Sequence, residues 1–223
     1  MLCSAVDRQV KQAMTAHAPS PHCMARLVFL RRAALRGLGR VAPSAPAAGD
    51  WDDMRSSFYN ADVIDALAER AEVTPESLVV DVGTGTGFVA AGLAGRAATV
   101  LGVDNPPAML AVAHNHLDEL GVDRVRVLAG ELDRLPLPDH SVDAAVANMV
   151  LHHAPDPAVM LTEMARVVRP GGRVAVTDEA EHTYEWMRTE QADLWLGFSA
   201  DQVAGFFGTA RLVEYGYASL GTQ

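Results

Sequence analysis

Lysine is almost missing from this chain: Lys11 is the only one in 223 residues. Cysteine is scarce as well, with Cys3 and Cys23 alone, both near the start. Two cysteines build neither a disulfide scaffold nor a zinc-ligand set, which points to a reducing, cytoplasmic compartment. No apolar run approaches the length of a membrane span, so no bilayer crossing is expected. A secretory leader is not expected either. The stretch LVFL is too short for an apolar h-region, and arginines follow it directly.

Positive charge is thin over most of the chain. Residues 1–49 hold seven of the 18 basic side chains against one acid, Asp7, which leaves 11 basic and 27 acidic residues in 50–223. So negative a surface repels phosphate backbones, and nucleic acid is not an expected partner. The basic stretch 1–48 reads as a loosely ordered extension, with Pro/Ala/Ser-rich linkers around MARLVFLRRAALRGLGR. That central segment otherwise suits a transit peptide or a helix lying on an anionic membrane. Residues 49–223 read as one globular domain, in a chain that is 49% apolar and 21% charged.

From Asp50 the pattern becomes regular, and apolar β-branched runs alternate with helical patterns. DVIDALAERAEV predicts a helix capped at Asn60 or Asp62. Strands are predicted at LVVDV, TVLGVD, VRVLAG, SVDAAVANMV and RVAVTD, and at RLVEYGYASL near the end. Helices fall between them, including PDPAVMLTEMARVVRPGG, closed by Pro170-Gly171-Gly172, and SADQVAGFFGTA. This alternation predicts an α/β fold, doubly wound around a mostly parallel sheet.

The most informative stretch is LVVDVGTGTGFVA, where Gly83, Gly85 and Gly87 follow a buried strand and open a helix. Glycines there let the backbone take positive φ and approach a ligand closely, beside free N–H groups at a helix N-terminus. The spacing departs from the dinucleotide fingerprint, whose third glycine lies three after the second; Phe88 holds that place here. Asp104 ends the next strand, seventeen residues past Gly87, where a carboxylate can accept bonds from both ribose hydroxyls.

VVDVGTGTG, GVDNPPAML, GELDRLPLPDHSVDAAVANMVLHH and EMARVVRPGGRVAVTD resemble the successive motifs of class I S-adenosylmethionine-dependent methyltransferases. The nearest likeness is to the type 11 group, which includes the ubiquinone/menaquinone C-methyltransferases, and it covers roughly residues 50–220. The resemblance implies S-adenosylmethionine as cofactor and a small-molecule methyl acceptor. It implies that Asp81, Gly83, Thr84, Gly85 and Gly87 wrap the methionine part, and that Asp104 holds the ribose beside Asn105 and Met109. Glu131 stands where the family usually has the Asp that accepts the adenine amino group, and Leu132 supplies a backbone N–H. Asn148 and Met149 would lie by the sulfonium. Trp51, Arg55 and Tyr59 fall where a lid closes over the cofactor, or else simply pack.

His152 and His153 follow the fourth strand and suit a catalytic base near neutral pH, or pack in their loop. Asp178, His182 and Trp186 follow the fifth strand, where the family forms its acceptor pocket; an ordinary amphipathic helix is the competing reading. No His/Cys metal site is expected, because the cysteines lie far from the histidine pair. Arsenic methylation, which some relatives perform through several thiolates, is not expected either. The family's sheet normally ends in an antiparallel hairpin, and here only one further strand is legible. That predicts a missing last strand and a gap beside the fifth, to be met by rearrangement, by a partner chain in a homodimer, or by a shortened form. Two readings compete with methyl transfer: a catalytically silent cofactor-binding protein, and a nicotinamide oxidoreductase, which the glycine spacing and the lack of a Tyr/Lys pair disfavour.

Overall fold

The computed structural model describes residues 61–105 and 107–220, together with the backbone of Met24–Ala25 and Phe29–Leu30. In chain order the elements are β1 (Met24–Ala25), β2 (Phe29–Leu30), α1 (Asp62–Arg70), β3 (Leu78–Val82), α2 (Phe88–Leu93), β4 (Thr99–Asp104), α3 (Pro107–Glu119) and β5 (Val125–Ala129). Then come β6 (Val142–Asn148), a 3-10 turn (Leu151–His153), α4 (Pro157–Val167), β7 (Val168–Thr177), α5 (Trp186–Glu190), α6 (Ala200–Thr209) and β8 (Ser219–Leu220). The main sheet runs β1-β7-β6-β3-β4-β5, with every pairing parallel.

Continuous apolar runs make the middle strands, because both faces of the sheet are covered. Successive side chains of β3 point to opposite faces. Val79 joins Ile64, Leu67, Val89 and Leu93 on the α1 and α2 side. Val80 and Val82 join Leu151, Met160, Leu161, Met164, Phe198 and Phe207 on the α4 and α6 side. The two helices on that second side have side-chain caps. Asp156 accepts from the N–H groups of Ala158 and Val159, and Ser199 forms a capping box with Gln202. By contrast α1 starts at Ala61 with no side-chain cap; Asp62 lies inside its first turn, and Asn60 lies outside the described residues.

Chain order reverses at β3. Strands β4 and β5 build outward on one side, and β6 and β7 on the other, which opens a crevice at the carboxyl ends of β3 and β6.

Two expected elements change. The helix α4 stops at Val167, after 11 residues, and Val168–Thr177 is already strand. Pro170, Gly171 and Gly172 therefore lie in the irregular start of β7, where pairing with β6 slips between Val142 and Ala144. Gly172 is needed there, since a Cβ would stand 2.4 Å from the Asp143 carbonyl oxygen.

The strand expected over RLVEYGYASL is the second correction. Arg211 and Glu214 take positive φ, which breaks the extended run, and only Ser219–Leu220 is strand. It pairs with β2 in a separate two-stranded sheet and does not join the main one. Among the described residues the last strand of the usual sheet is absent, and the edge of β7 instead carries β1, with Met24 opposite Arg173.

Candidate active site at the carboxyl end of the sheet

The glycine loop leaves β3 with Gly83, Gly85 and Gly87 all at positive φ (71°, 56° and 82°), which only glycine adopts freely. Gly83 has a second reason to be bare: a Cβ would stand 2.4 Å from Cγ2 of Val150. Asp81, the fourth residue of β3, is 1% exposed and accepts a 2.7 Å hydrogen bond from the Thr84 hydroxyl. Burial raises its carboxyl to about 7, the Thr84 bond opposes this, and the nearby Asp104 charge adds to it.

Asp104 ends β4 beside this loop. Its Oδ2 accepts from the Gly85 N–H at 2.8 Å and its Oδ1 from the Asn105 N–H at 2.8 Å. Partial burial still raises its pKa above the ordinary carboxylate value, against those two bonds. The Asn105 amide in turn donates to both oxygens of Glu131 at 2.7 Å, tying the ends of β4 and β5 together. Asp104 keeps lone pairs free toward the crevice, as a carboxylate offers about four acceptor positions.

At the end of β6 the Asn148 side-chain oxygen accepts from the Thr177 hydroxyl at 2.7 Å. Met149 follows at φ 53°, a conformation that costs a non-glycine residue about 1–2 kcal/mol. Its N–H bonds the Thr177 carbonyl at 2.8 Å. Such an outlier held by its surroundings is common at functional sites.

These residues line one cavity of about 760 Å³. Asp81, Gly83, Thr84, Gly85, Asp104, Asn105, Met109, Glu131, Leu132, Asn148, Met149 and His153 all contribute. Gly87 does not. It caps α2 in the left-handed region, and a Cβ there would meet Leu117 and Ala113 of α3 at an ordinary 3.5–3.7 Å, so it is the positive φ that calls for glycine. Tyr59, Trp51 and Arg55 lie outside the described residues. Sequence reasoning passed over Phe88, Val150, Asp156 and Met160, which also line the cavity and read locally as ordinary helix and core positions. Among the described residues five carboxylates line it (Asp81, Asp104, Glu131, Asp133, Asp156), and no lysine or arginine does.

Behind the cavity wall lies a polar cluster. His152 is 4% exposed, and its Nδ1 stands 2.8 Å from Oδ1 of Asp178. Asp178, fully buried, also accepts from the N–H groups of Leu151 (2.8 Å), His152 (3.4 Å) and Glu179 (2.8 Å). It orients His152 and is not among the residues that line this cavity. His182 pairs with Glu179 at 2.7 Å, and Trp186 is half-buried on α5; neither lines the cavity.

His152 Nε2 meets His153 Nε2 at 3.1 Å. Burial alone would depress the His152 pKa. The Asp178 carboxylate, with help from Asp193 and Glu179, outweighs it and lifts the imidazole to about 9. Burial and the neighbouring His152 charge lower His153 to about 4. Asp193 is the residue that no local spacing foretold. It arrives because the Leu194 and Trp195 N–H groups both bond the His152 carbonyl at 3.1 Å, folding the chain after α5 back onto the histidines.

An acid-lined cavity at the switch point of a doubly wound parallel sheet, between a glycine loop and a strand-end Asp, defines a class I S-adenosylmethionine methyltransferase fold. Residues 80–176 match a family model described as a methyltransferase domain, and this part of the chain is similar to the type 11 S-adenosylmethionine-dependent methyltransferases.

Among curated proteins the chain is 33% identical over 144 residues to an arsenite methyltransferase of Halobacterium salinarum, covering 63% of this chain and 35% of that one. It is 31% identical over 146 residues to a ubiquinone biosynthesis O-methyltransferase of Aeromonas salmonicida, covering 63% and 61%. The chain thus spans about a third to three fifths of the length of these relatives. Among solved structures the YcgJ protein of Bacillus subtilis matches at TM-score 0.62 and 24% identity, over 68% of each chain, which shows the fold. The [4+2]-cyclase SpnF matches at TM-score 0.60 and 27% identity, over 67% of this chain and 56% of that one. A shared fold therefore does not choose the reaction. Among the described residues no helix is long and apolar enough to cross a membrane.

Proposed function

We propose that this chain transfers a methyl group from S-adenosylmethionine to a small acceptor molecule. The observation that carries this reading is the charge of the cavity: among the described residues five carboxylates line it and no lysine or arginine does. Such a lining attracts a ligand bearing a sulfonium and an ammonium, and it repels the pyrophosphate of a nicotinamide dinucleotide. S-adenosylmethionine supplies an already activated, electrophilic methyl group when bound.

The protein's own part is alignment and exclusion of water. Asp81, Gly83, Thr84 and Gly85 would hold the methionine portion, where a carboxylate of raised pKa gains a cationic partner. Asp104, already fixed by two backbone N–H groups, would accept from the ribose, with Asn105 and Met109 beside it. Glu131 would accept from the adenine amino group while Asn105 steadies it, and the Leu132 N–H would donate to the ring. Asn148 and Met149 would flank the sulfonium, and the acceptor would enter at the His153 end. A cavity of about 760 Å³ admits both molecules.

His153 is a poor general base in this setting. Burial and the charge on His152 hold it at about 4, whereas a base works best near the operating pH. His152, behind the wall, does not reach the cavity. An arsenite acceptor is not favoured, since residues 24–223 contain no cysteine. The acidic surface and the scarcity of cysteine favour a small molecule in a reducing, cytoplasmic setting.

The test is a screen of phenolic, amine and enolic acceptors with S-adenosylmethionine, read by formation of S-adenosylhomocysteine. Product that disappears in Asp104→Ala is expected. Cofactor binding without product from any class would overturn catalysis and leave a silent binder.

A further inference from the structure

We infer that His152, His153 and Asp193 form a binding site for a divalent transition-metal cation at the acceptor end of the cavity. One ligand atom from each residue lies within 4.8 Å of the others. His152 Nε2 is 3.1 Å from His153 Nε2 and 3.7 Å from Asp193 Oδ1. Ligand atoms about 2.0–2.1 Å from one cation stand roughly 3–3.5 Å apart, so small ring rotations close the set.

The second observation is Asp193 itself. Its side chain is 1% exposed, and neither carboxylate oxygen has a hydrogen-bond partner. Leaving a buried carboxylate oxygen unpartnered is costly, and such an atom in a folded protein calls for an explanation. The surroundings deepen the deficit. Asp178, Glu179 and Asp193 are all buried within a few residues of each other in space. The only ionisable cationic partners found for them among the described residues are His152, His153 and His182. A bound cation supplies the missing charge and the missing partner together.

The remaining geometry has the form of a metal centre. Asp178 holds the far nitrogen of His152 at 2.8 Å, the outer carboxylate that commonly fixes a ligating imidazole and directs its other nitrogen at the ion. Two imidazoles and one carboxylate suit zinc, iron, cobalt or manganese rather than calcium or magnesium. Three protein ligands leave coordination positions open, and of the three residues His153 lines the cavity. An acceptor oxygen entering there would be ligated, and a hydroxyl so bound gives up its proton to bulk water more readily. That last role rests on the methyl-transfer reading; cation binding does not.

The experiment uses the full chain stripped with a chelator. It is titrated with Zn²⁺ by calorimetry and with Co²⁺ by visible absorption, with S-adenosylhomocysteine binding measured on the same samples. One cation per chain is expected, with the visible bands of a nitrogen-ligated Co²⁺. Asp193→Asn and His153→Gln should each weaken uptake tenfold or more, and Asp178→Asn by 10–100-fold through the outer shell, while S-adenosylhomocysteine still binds. His153 is half-buried, so its variant stays informative if a core variant fails to fold. Absence of stoichiometric uptake, or uptake unchanged in both Asp193→Asn and His153→Gln, overturns the site. Uptake without any S-adenosylhomocysteine binding would keep the metal site and overturn the cofactor reading instead.

Discussion

Replacing Gly83 by alanine separates two strains that the glycine loop avoids. The backbone there sits at φ 71°, which costs an alanine about 1–2 kcal/mol. The new Cβ would also stand 2.4 Å from Cγ2 and 2.9 Å from Cβ of Val150, an overlap of the kind that costs about 1–3 kcal/mol in a packed interior. Together Gly83→Ala should destabilise the fold by roughly 2–5 kcal/mol. For a chain of this size each kcal/mol lowers Tm by about 2–4 °C.

The two parts can be told apart with Val150→Ala. In the double variant the contacts with the two γ-methyl groups are gone, while the 2.9 Å approach to Cβ and the backbone strain remain, so the cycle should show a favourable coupling of about 1–2 kcal/mol. Guanidinium unfolding of the four proteins measures it. Cofactor affinity should fall in Gly83→Ala and stay low in the double variant, because the loop backbone is still displaced. A loss below about 0.5 kcal/mol for Gly83→Ala, or a coupling near zero, would refute the account of why this position is bare.

Other outcomes follow from the same geometry. Asp81 has its carboxyl raised from 3.8 to about 7, so between those values the folded chain keeps a proton that the unfolded chain has lost. Stability should therefore fall as pH rises through that window, by at most about 1.4 kcal/mol per pH unit. Unfolding at pH 5.5, 6.5 and 7.5 should show a flatter profile in Asp81→Asn; identical profiles would contradict this. A cationic ligand beside Asp81 favours its ionised form, so binding near pH 6.5 should release a proton, visible as a buffer-dependent heat. Met149→Gly relieves the φ 53° strain but adds glycine's entropy cost, so stability should change by less than about 1 kcal/mol while cofactor affinity drops. Asp156→Ala removes the cap of α4 and should cost about 1 kcal/mol in unfolding free energy.

What could be read without coordinates was what the chain encodes locally. The apolar run of β3, the three glycines and Asp104 all fall within 27 residues. Each carries its own physical signal: β-branched burial, positive φ, and a carboxylate at a strand end. The convergence of Gly83, Gly85 and Asp104 on one cavity followed from strand order. Gly87 carried the same local signal but sits at the cap of α2 and is not among the residues lining the cavity.

The misses are long-range. An alternating apolar pattern made RLVEYGYASL look like a strand, but a strand needs a partner, and the edge of β7 is taken by Met24–Ala25. Asp193 lies forty residues past His153 and is delivered by backbone bonds to the His152 carbonyl, which no spacing rule encodes. Asp178 was legible as a strand-end acid, yet its partners were not: three backbone N–H groups and the His152 ring gather on it, and it is not among the residues lining the cavity.

The central claim is that the acid-lined cavity between the glycine loop and Asp104 takes S-adenosylmethionine. Calorimetric titration of the full chain with S-adenosylhomocysteine and, separately, with NAD tests it most directly. One S-adenosylhomocysteine per chain, bound at least tenfold more weakly by Asp104→Ala, with no heat from NAD, is the predicted result. Uptake of NAD with none of S-adenosylhomocysteine would contradict it.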